Sequence, residues 1–407
     1  MKTVLHVASH MGGGVGKVLS NVATYASNNY RHHIILLEKP IDTCFTDKLS
    51  RSLLTIAPSI DEIRELIGWS DIVQFDWWNH PLLAKVMYDV QDLPMRSVVW
   101  AHTSGCYYPQ IWPEFVRMPN HFIFSSHCSK ENPYWSLAEQ LGMRCSVVNS
   151  SGGFATTQDV KRIHHGRRFN IGYVGTIDFS KLLPEFVESC AAAASIPGIQ
   201  FVMIGRVPEP NLILEQAEKA GIADKFIFKG YVKDLPDELA HFDVMGYLLN
   251  PRHYGTTENA MLEAMSMRIP VIAMDQCAEK YLIKNYQTGL LVKNKIQYAS
   301  ALRSLFDDPE MASVLGESGR KFVLLNFGLE KTVHKLETVY NSVMETARKC
   351  MPVRRVFGDT PCQWYMSGLP PGDNSPPFNY ITGFAKSSVA QWHRYFPEDK
   401  HLAAMVK

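Results

Sequence analysis

The sequence has no two cysteines close enough for a CxxC. Its eight cysteines, Cys44, Cys106, Cys128, Cys145, Cys190, Cys277, Cys350 and Cys362, are scattered along the chain. That argues against a zinc knuckle or a dithiol redox motif. Long apolar runs are also missing. Thr3–Ser9 and Ser266–Met274 come nearest, and both fall far short of the ~20 residues a bilayer span needs. The first is broken by His6 and runs into glycine, so it does not read as a secretory signal. A cytoplasmic protein with reduced thiols is the expectation. An excess of one charge is lacking too: 41 Lys and Arg face 40 Asp and Glu, a net charge of +1. No bulk field is available for wrapping nucleic acid, and any anion site must be local. No internal repeat is found.

What is present suits two or three folded domains. The chain has 407 residues, 46% hydrophobic and 20% charged, which excludes a disordered chain. Strands are expected at Thr3–Ser9, His33–Leu37, Ile72–Phe75, Ser97–Ala101 and His121–Ser125, with helical patterns between several of them. After the first strand come Gly12-Gly13-Gly14-Val15-Gly16, then Val15, Val18, Leu19, Val22 and Ala26 at helical spacing. A second series has strands at Asn170–Val174, Gln200–Ile204, Phe226–Phe228, Val244–Leu248 and Pro270–Ala273. Its helices lie near Leu183–Ala194, Leu212–Ala220 and Asn259–Met267. Ala299–Phe306 and Glu330–Arg348 read as closing helices. Alternating strands and helices imply mostly parallel sheets covered on both faces. The expected fold is α/β: two doubly wound, Rossmann-like domains facing across a cleft, with an irregular C-terminal extension. The boundaries are a domain over 1–155, a polar, basic linker over 156–168, a domain over 169–330, a closing helix over 331–348 and a proline-containing extension over 349–407. In such folds ligands bind at the carboxyl ends of the strands.

Two stretches bear on chemistry. The run Gly12–Lys17 is not a P-loop. Met11 stands where the first glycine should be, and Val18 where the magnesium-binding hydroxyl should be. Bare backbone there either packs strand on helix or lets an anionic or sugar ligand approach a helix N-terminus. In the second half, Gly175-Thr176-Ile177-Asp178-Phe179-Ser180-Lys181 follows a strand and sets a lysine at the sheet's carboxyl edge. Later, Gly255-Thr256-Thr257-Glu258-Asn259 opens a helix whose amides suit a diphosphate. Glu263 falls a turn into that helix among Leu262, Ala264 and Met265. There it either binds sugar hydroxyls or pairs with a neighbouring base, while Glu258 either caps the helix or joins the site.

This order of features resembles the large retaining glycosyltransferase family four, the group 1 glycosyltransferases with the GT-B fold. The resemblance spans about residues 1–345 and is strongest over Phe226–Val292. Gly13–Leu19, Ser70–Phe75, Val98–His102 and Phe124–Ser129 fit in the first half. By resemblance, Glu263 holds the ribose of a donor nucleotide and Lys181 contacts its diphosphate. Gly14 and Gly16 lie near the transferred sugar and phosphate, and His102 near the sugar. Two departures stand out: the first glutamate of the family's pair is Gly255 here, with Glu258 the nearest carboxylate, and an arginine before the lysine is Thr176. Arg206 or Arg252 could supply that charge.

The resemblance implies transfer of a sugar, with retention, from a nucleotide-diphosphate sugar to a glycan, lipid-linked or small-molecule acceptor, as in bacterial polysaccharide or glycoconjugate synthesis. The expected catalytic residues are His102, Lys181 and Glu258. The expected donor-binding residues are Gly14, Gly16, Thr176, Lys181, Thr256, Thr257, Glu258, Asn259 and Glu263. Trp77, Trp78 and Tyr107 are candidates for the acceptor, though aromatic core is the competing reading. No Asp-x-Asp occurs, so no metal or other cofactor is expected. Partners are the nucleotide sugar and its acceptor, not nucleic acid. The basic clusters Lys161–Arg168 and Arg348–Arg355 could touch the inner face of a membrane. A nucleotide-sugar epimerase or hydrolase of the same fold, and a non-catalytic sugar-binding protein, are the alternatives.

Overall fold

The structure is a computed structural model that describes residues 1–407 except 26–28, 41–42, 51–52, 164–165, 167, 209, 371–386 and 407. Ala26, part of the basic linker and Pro371, Pro376 and Pro377 therefore lie outside the described residues. The chain forms two compact units. The first comprises Met1–Gly152, Tyr254–Thr256 and Leu329–Lys407; the second comprises Gly153–His253 and Thr257–Gly328.

In the first unit, β1 (Lys2–Ala8), β2 (Tyr30–Leu36), β3 (Leu54–Ile56), β4 (Ile72–Trp77), β5 (Ser97–Ala101), β6 (His121–Phe124) and β7 (Cys145–Val147) make one sheet in the order β3-β2-β1-β4-β5-β6-β7. Every pairing is parallel. Strands covered on both faces need near-continuous apolar sequence. The central β4 and β5 are buried throughout, whereas the short edge strands β3 and β7 are only partly covered. That partial cover is why β3 and β7 carry no clear sequence signal. The chain turns back between β1 and β4, and the helix Gly13–Tyr25 leaves the carboxyl end of β1 there. A Cβ at Gly16 would stand 2.2 Å from the Met11 carbonyl oxygen, so only glycine lets this helix start so close to its strand.

The C-terminal segment also belongs to this unit. Helix Leu329–Met344 buries Val333, Leu336, Val339, Tyr340 and Val343 against the sheet. The chain then pairs Met95 with Lys349 in an antiparallel bridge. Among its described residues the extension is largely helical, contrary to the proline-based expectation. Its described residues form the helices Val353–Phe357, Pro361–Met366, Val389–Tyr395 and Lys400–Met405. Trp364, Tyr365, Leu369, Val389, Trp392, Phe396 and Leu402 pack with Tyr108 into a separate apolar cluster. Prolines misled because Pro361 sits at the first position of its helix, where a missing N–H costs nothing.

In the second unit, β8 (Phe169–Val174), β9 (Ile199–Ile204), β10 (Phe226–Gly230), β11 (Val244–Tyr247), β12 (Val271–Met274) and β13 (Leu290–Val292) lie in the order β10-β9-β8-β11-β12-β13, again all parallel. The order reverses between β8 and β11. A Cβ at Gly205 would meet the Gly175 carbonyl oxygen at 1.9 Å, so the loops after β8 and β9 close on each other only through glycine. The expected linker over 156–168 is corrected. Thr157 is buried and its hydroxyl lies 2.6 Å from that of Ser266. Arg162 donates to the carbonyls of Phe242, Asp243 and Arg268 at 3.0–3.1 Å. Its polar, basic composition reads as linker, but the cations hold the carbonyls at the amino ends of β11 and β12.

Candidate functional site

Each sheet presents a polar cluster where its strand order reverses, the position at which a doubly wound fold leaves a crevice. In the second unit the cluster centres on Glu258. This residue is left-handed, at φ 43°, and begins the helix Asn259–Ser266 without capping it. Its side chain turns instead to Lys181, whose Nζ lies 2.9 Å from both carboxylate oxygens. The Tyr247 hydroxyl donates to the same carboxylate at 2.7 Å, and His253 Nδ1 lies 3.7 Å away. His253 Nε2 contacts the buried carboxylate of Glu279 at 3.2 Å. Burial pushes the Glu258 carboxyl up, but the charges of Lys181 and His253 and the hydrogen bonds from Lys181 and Tyr247 outweigh it. The group is held below the usual glutamate range. Burial and the neighbouring Glu258 push the Tyr247 phenol well up, so it stays a donor.

The arrangement brings a lysine, loops after β8 and β11, and a helix start into one place. Thr256 and Thr257 are buried just before that helix, Asn259 opens it, and Glu263 is buried in its second turn. Thr176 is exposed, and its carbonyl accepts from Tyr173 at 2.9 Å. Arg206 and Arg252 are exposed. A cation with helical amides suits an anion with several oxygens.

In the first unit a hollow of about 120 Å³ is lined by His10, Gly12–Gly14, Val15, Trp78, His102, Thr103, Pro109, Tyr254 and Ser387. His102 is held from behind: its Nε2 lies 3.2 Å from Asp76 Oδ1. Asp76 lies one residue before the end of β4, has no exposed surface, and also faces His6 Nδ1 at 3.3 Å and Gln74 Nε2 at 2.9 Å. His6 Nε2 in turn lies 2.7 Å from His32 Nδ1. Burial pushes the Asp76 carboxyl up, yet the hydrogen bonds and charges of His102 and His6 hold it below the usual aspartate range. Burial, aided by His6, holds the His32 imidazole well below its ordinary value. An ionised carboxylate only accepts, so His102 donates from Nε2. Its Nδ1 is buried without a hydrogen-bond partner among the described residues. In the neutral ring that atom is an open acceptor.

The expected residues divide accordingly. Gly14, Trp78 and His102 meet around the hollow, and Lys181, Glu258 and Asn259 meet around the helix start. Gly16 is packed against Met11 and Phe45 instead of lining the hollow. Trp77 is a correction: it is buried in the sheet core edge-on to Phe115, because its β4 neighbours alternate faces and its face is covered. Tyr107 is exposed and does not line this hollow. Its neighbour Tyr108 turns inward onto the C-terminal cluster instead. Sequence reasoning passed over Asp76, Thr103, Tyr247, His253 and Ser387. Asp76 did leave a signal, since a carboxylate inside the apolar strand Ile72–Trp77 must find partners. A larger hollow of about 630 Å³ in the second unit, lined partly by Arg162, Arg268 and Arg320, lies at the amino ends of β11 and β12, away from these clusters. Its arginines serve carbonyls and Glu317.

Comparison with known proteins bears on the family and the fold. The family model described as "Glycosyl transferases group 1" matches residues 156–322. The lipopolysaccharide core biosynthesis mannosyltransferase LpsB of Rhizobium meliloti is 26% identical over 57% of this chain and 75% of its own. The capsular polysaccharide biosynthesis glycosyltransferase CapM of Staphylococcus aureus is 25% identical over 44% of this chain and 47% of its own. The chain spans about half the length of most curated relatives it matches. Among solved structures, a glycosyltransferase from Rickettsia africae superposes with a TM-score of 0.67 at 15% identity, covering 85% of this chain and 99% of that one. Anabaena Alr3699/HepE, solved in complex with UDP, gives 0.66 at 14% identity, covering 84% and 100%. Both units thus have the sheets of the GT-B fold. Over residues 156–322, where a cationic site stands at a helix start and the sheet reverses beside it, this chain is similar to the group 1 glycosyltransferases.

Proposed function

We propose that the protein transfers a sugar from a nucleotide-diphosphate sugar to a glycan or lipid-linked acceptor, with retention at the anomeric carbon. The observation that carries this reading is the Lys181–Glu258 pair at the start of helix Asn259–Ser266, where β8 and β11 part. A leaving diphosphate gains negative charge as the glycosidic bond breaks. Lys181 and the first amides of the helix are fixed donors for it. Glu258 aims Lys181, and Glu263 takes the ribose hydroxyls. With no Asp-x-Asp in the sequence, these groups would neutralise the diphosphate without a bridging metal. The first unit's hollow takes a sugar, its His102 accepting from a hydroxyl. The leaving phosphate oxygen can remove the acceptor's proton, so no separate general base is assigned. Relatives named for lipopolysaccharide and capsule synthesis support an acceptor of that kind. The neighbour solved with UDP supports a uridine nucleotide. No helix among the described residues is long and apolar enough to cross a membrane; a lipid-linked acceptor would be met at the surface.

The test is a thermal-shift panel of UDP, GDP and ADP sugars, followed by product analysis. One donor should raise the melting temperature and yield a glycoside only when acceptor is added. Lys181→Ala should lower turnover about a hundredfold. Gly255, where the family has a glutamate, gives the second reading its footing: donor binding with no turnover by the wild type would mean a sugar-binding protein.

A further inference from the structure

The hollow in the first unit holds more unspent polarity than His102 alone. Thr103, at the carboxyl end of β5, is 2% exposed, and its hydroxyl has no hydrogen-bond partner among the described residues. It lines the same hollow as His102. A buried hydroxyl left unpaired costs free energy unless something outside the chain satisfies it. Thr103 and His102 both line the hollow, and each carries a buried atom, Thr103 Oγ1 and His102 Nδ1, without a hydrogen-bond partner among the described residues.

A third group reaches the hollow from the far end of the sequence. Ser387 is buried, and each of its polar atoms is anchored. Its Oγ donates to the carbonyls of Trp78 at 3.1 Å and Asn79 at 3.4 Å. Its N–H donates to Gln391 Oε1 at 2.6 Å, and its carbonyl accepts from the Tyr108 hydroxyl. Its backbone is left-handed, at φ 64°, an unusual conformation for a residue with a Cβ. With its single proton committed to a carbonyl, the Ser387 hydroxyl offers only lone pairs to the hollow. Helix Val389–Tyr395, which follows it, is fixed through Trp392 and Val389 in the C-terminal apolar cluster.

We propose that Thr103 and Ser387 bind hydroxyls of the sugar in this hollow, and that the C-terminal helical extension is a built-in wall of the site that sets which sugar fits. Ser387 and the His102 ring accept from hydroxyls, Thr103 can accept or donate, and the Trp78 ring lines the wall beside them. This rests on the glycosyltransferase reading. It goes beyond it by giving a segment outside residues 156–322 a part in choosing the substrate. The occupant can be the transferred sugar or the acceptor sugar; the chemistry recognised is the same.

Two variants test this in the full-length chain, using the donor selected by the nucleotide-sugar panel. Thr103→Val keeps the shape and removes an orphan hydroxyl, so the free protein should melt no lower than wild type. Ser387→Gly keeps the left-handed backbone and removes the lone-pair donor. In both, the melting shift given by the bare nucleoside diphosphate should be unchanged, while KM for one sugar substrate rises about five- to tenfold. Single-deoxy analogues supply the reading that a merely structural role would not move. The analogue lacking the partnered hydroxyl should be about five- to tenfold poorer for wild type and no worse than the parent sugar for the matching variant. A deoxy series on the donor against one on the acceptor shows which sugar is held. If every analogue loses the same factor in variant and wild type, the proposal is overturned. If no nucleotide sugar binds the wild type at all, the glycosyltransferase reading itself fails, and this one with it.

Discussion

Two buried carboxylates sit at corresponding places in the two units, where the sheets reverse their order. Asp76 lies one residue before the end of β4, the strand paired with β1, and Glu258 stands in the loop after β11, the strand paired with β8. Their side chains are 0% and 4% exposed. Both are held below their ordinary pKa against the pull of burial. They differ in what neutralises them. Glu258 faces a lysine at 2.9 Å and a tyrosine at 2.7 Å, with the His253 imidazole farther off at 3.7 Å. Asp76 faces two imidazoles and the Gln74 amide, with no lysine or arginine among the partners described for it. The two units thus carry two electrostatic designs: a lysine–carboxylate ion pair beside the proposed diphosphate site, and a histidine–carboxylate network behind the proposed sugar site.

Removing the fixed partner should hurt most. Glu258→Ala strands the Lys181 ammonium in a partly buried site. It should cost about 3–5 kcal/mol in urea unfolding, with loss of nucleotide binding. Asp76→Asn should cost less, about 2 kcal/mol, because an imidazole left without its carboxylate can shed its proton and an ammonium cannot do so as readily. The same variant should change the pH profile of turnover, since it frees His102 to take either tautomer. A cost equal to that of Glu258→Ala would erase the distinction between the two designs.

Acid should separate the units next. Burial, helped by nearby Arg144, lowers the His121 imidazole from 6.5 to about 4, and His32 is also lowered. Between those limits the unfolded chain binds protons the folded one refuses, so stability falls as pH drops from 6.5 toward 4. Both histidines lie in the first unit. The lowered carboxyls of Asp76 and Glu258 contribute stability above their ordinary values, lost only as pH falls below about 4. Urea midpoints measured from pH 7.5 to 4 should decline, and His121→Phe should flatten that slope. An unchanged slope would remove His121 from the account.

The smallest contrast lies in two tyrosines. Tyr247 donates to an ionised carboxylate and Tyr340 to the Gln74 amide oxygen, both at 2.7 Å. Tyr247→Phe should cost about 1.5–3 kcal/mol and Tyr340→Phe about 0.5–1.5. Equal costs would mean the Glu258 charge adds nothing to its hydrogen bond.

Much of this was legible in the chain. Central strands such as Ser97–Ala101 are buried on both faces and so are apolar almost throughout, while edge strands such as Leu54–Ile56 are half-covered and left no pattern. Lys181 and Glu258 could be picked out because loops after strands carry the chemistry of such folds, whereas His102 was reached through the family resemblance. Trp77 and Tyr107 could not be told from Trp78 and Tyr108, since neighbouring aromatics differ only in the face they present. Thr157–Arg162 read as linker because polar composition does not reveal that its partners are carbonyls.

Alternation of apolar strands and amphipathic helices, a local property, determined by itself that two doubly wound sheets would form and where their loops would fall. Only the tertiary structure decided that Asp76 stands behind His102, that Glu258 turns from its helix to Lys181, and that Ser387 closes a hollow formed nearly three hundred residues earlier. Such contacts join residues far apart in sequence, and their energy comes from burial and pairing that no local pattern encodes.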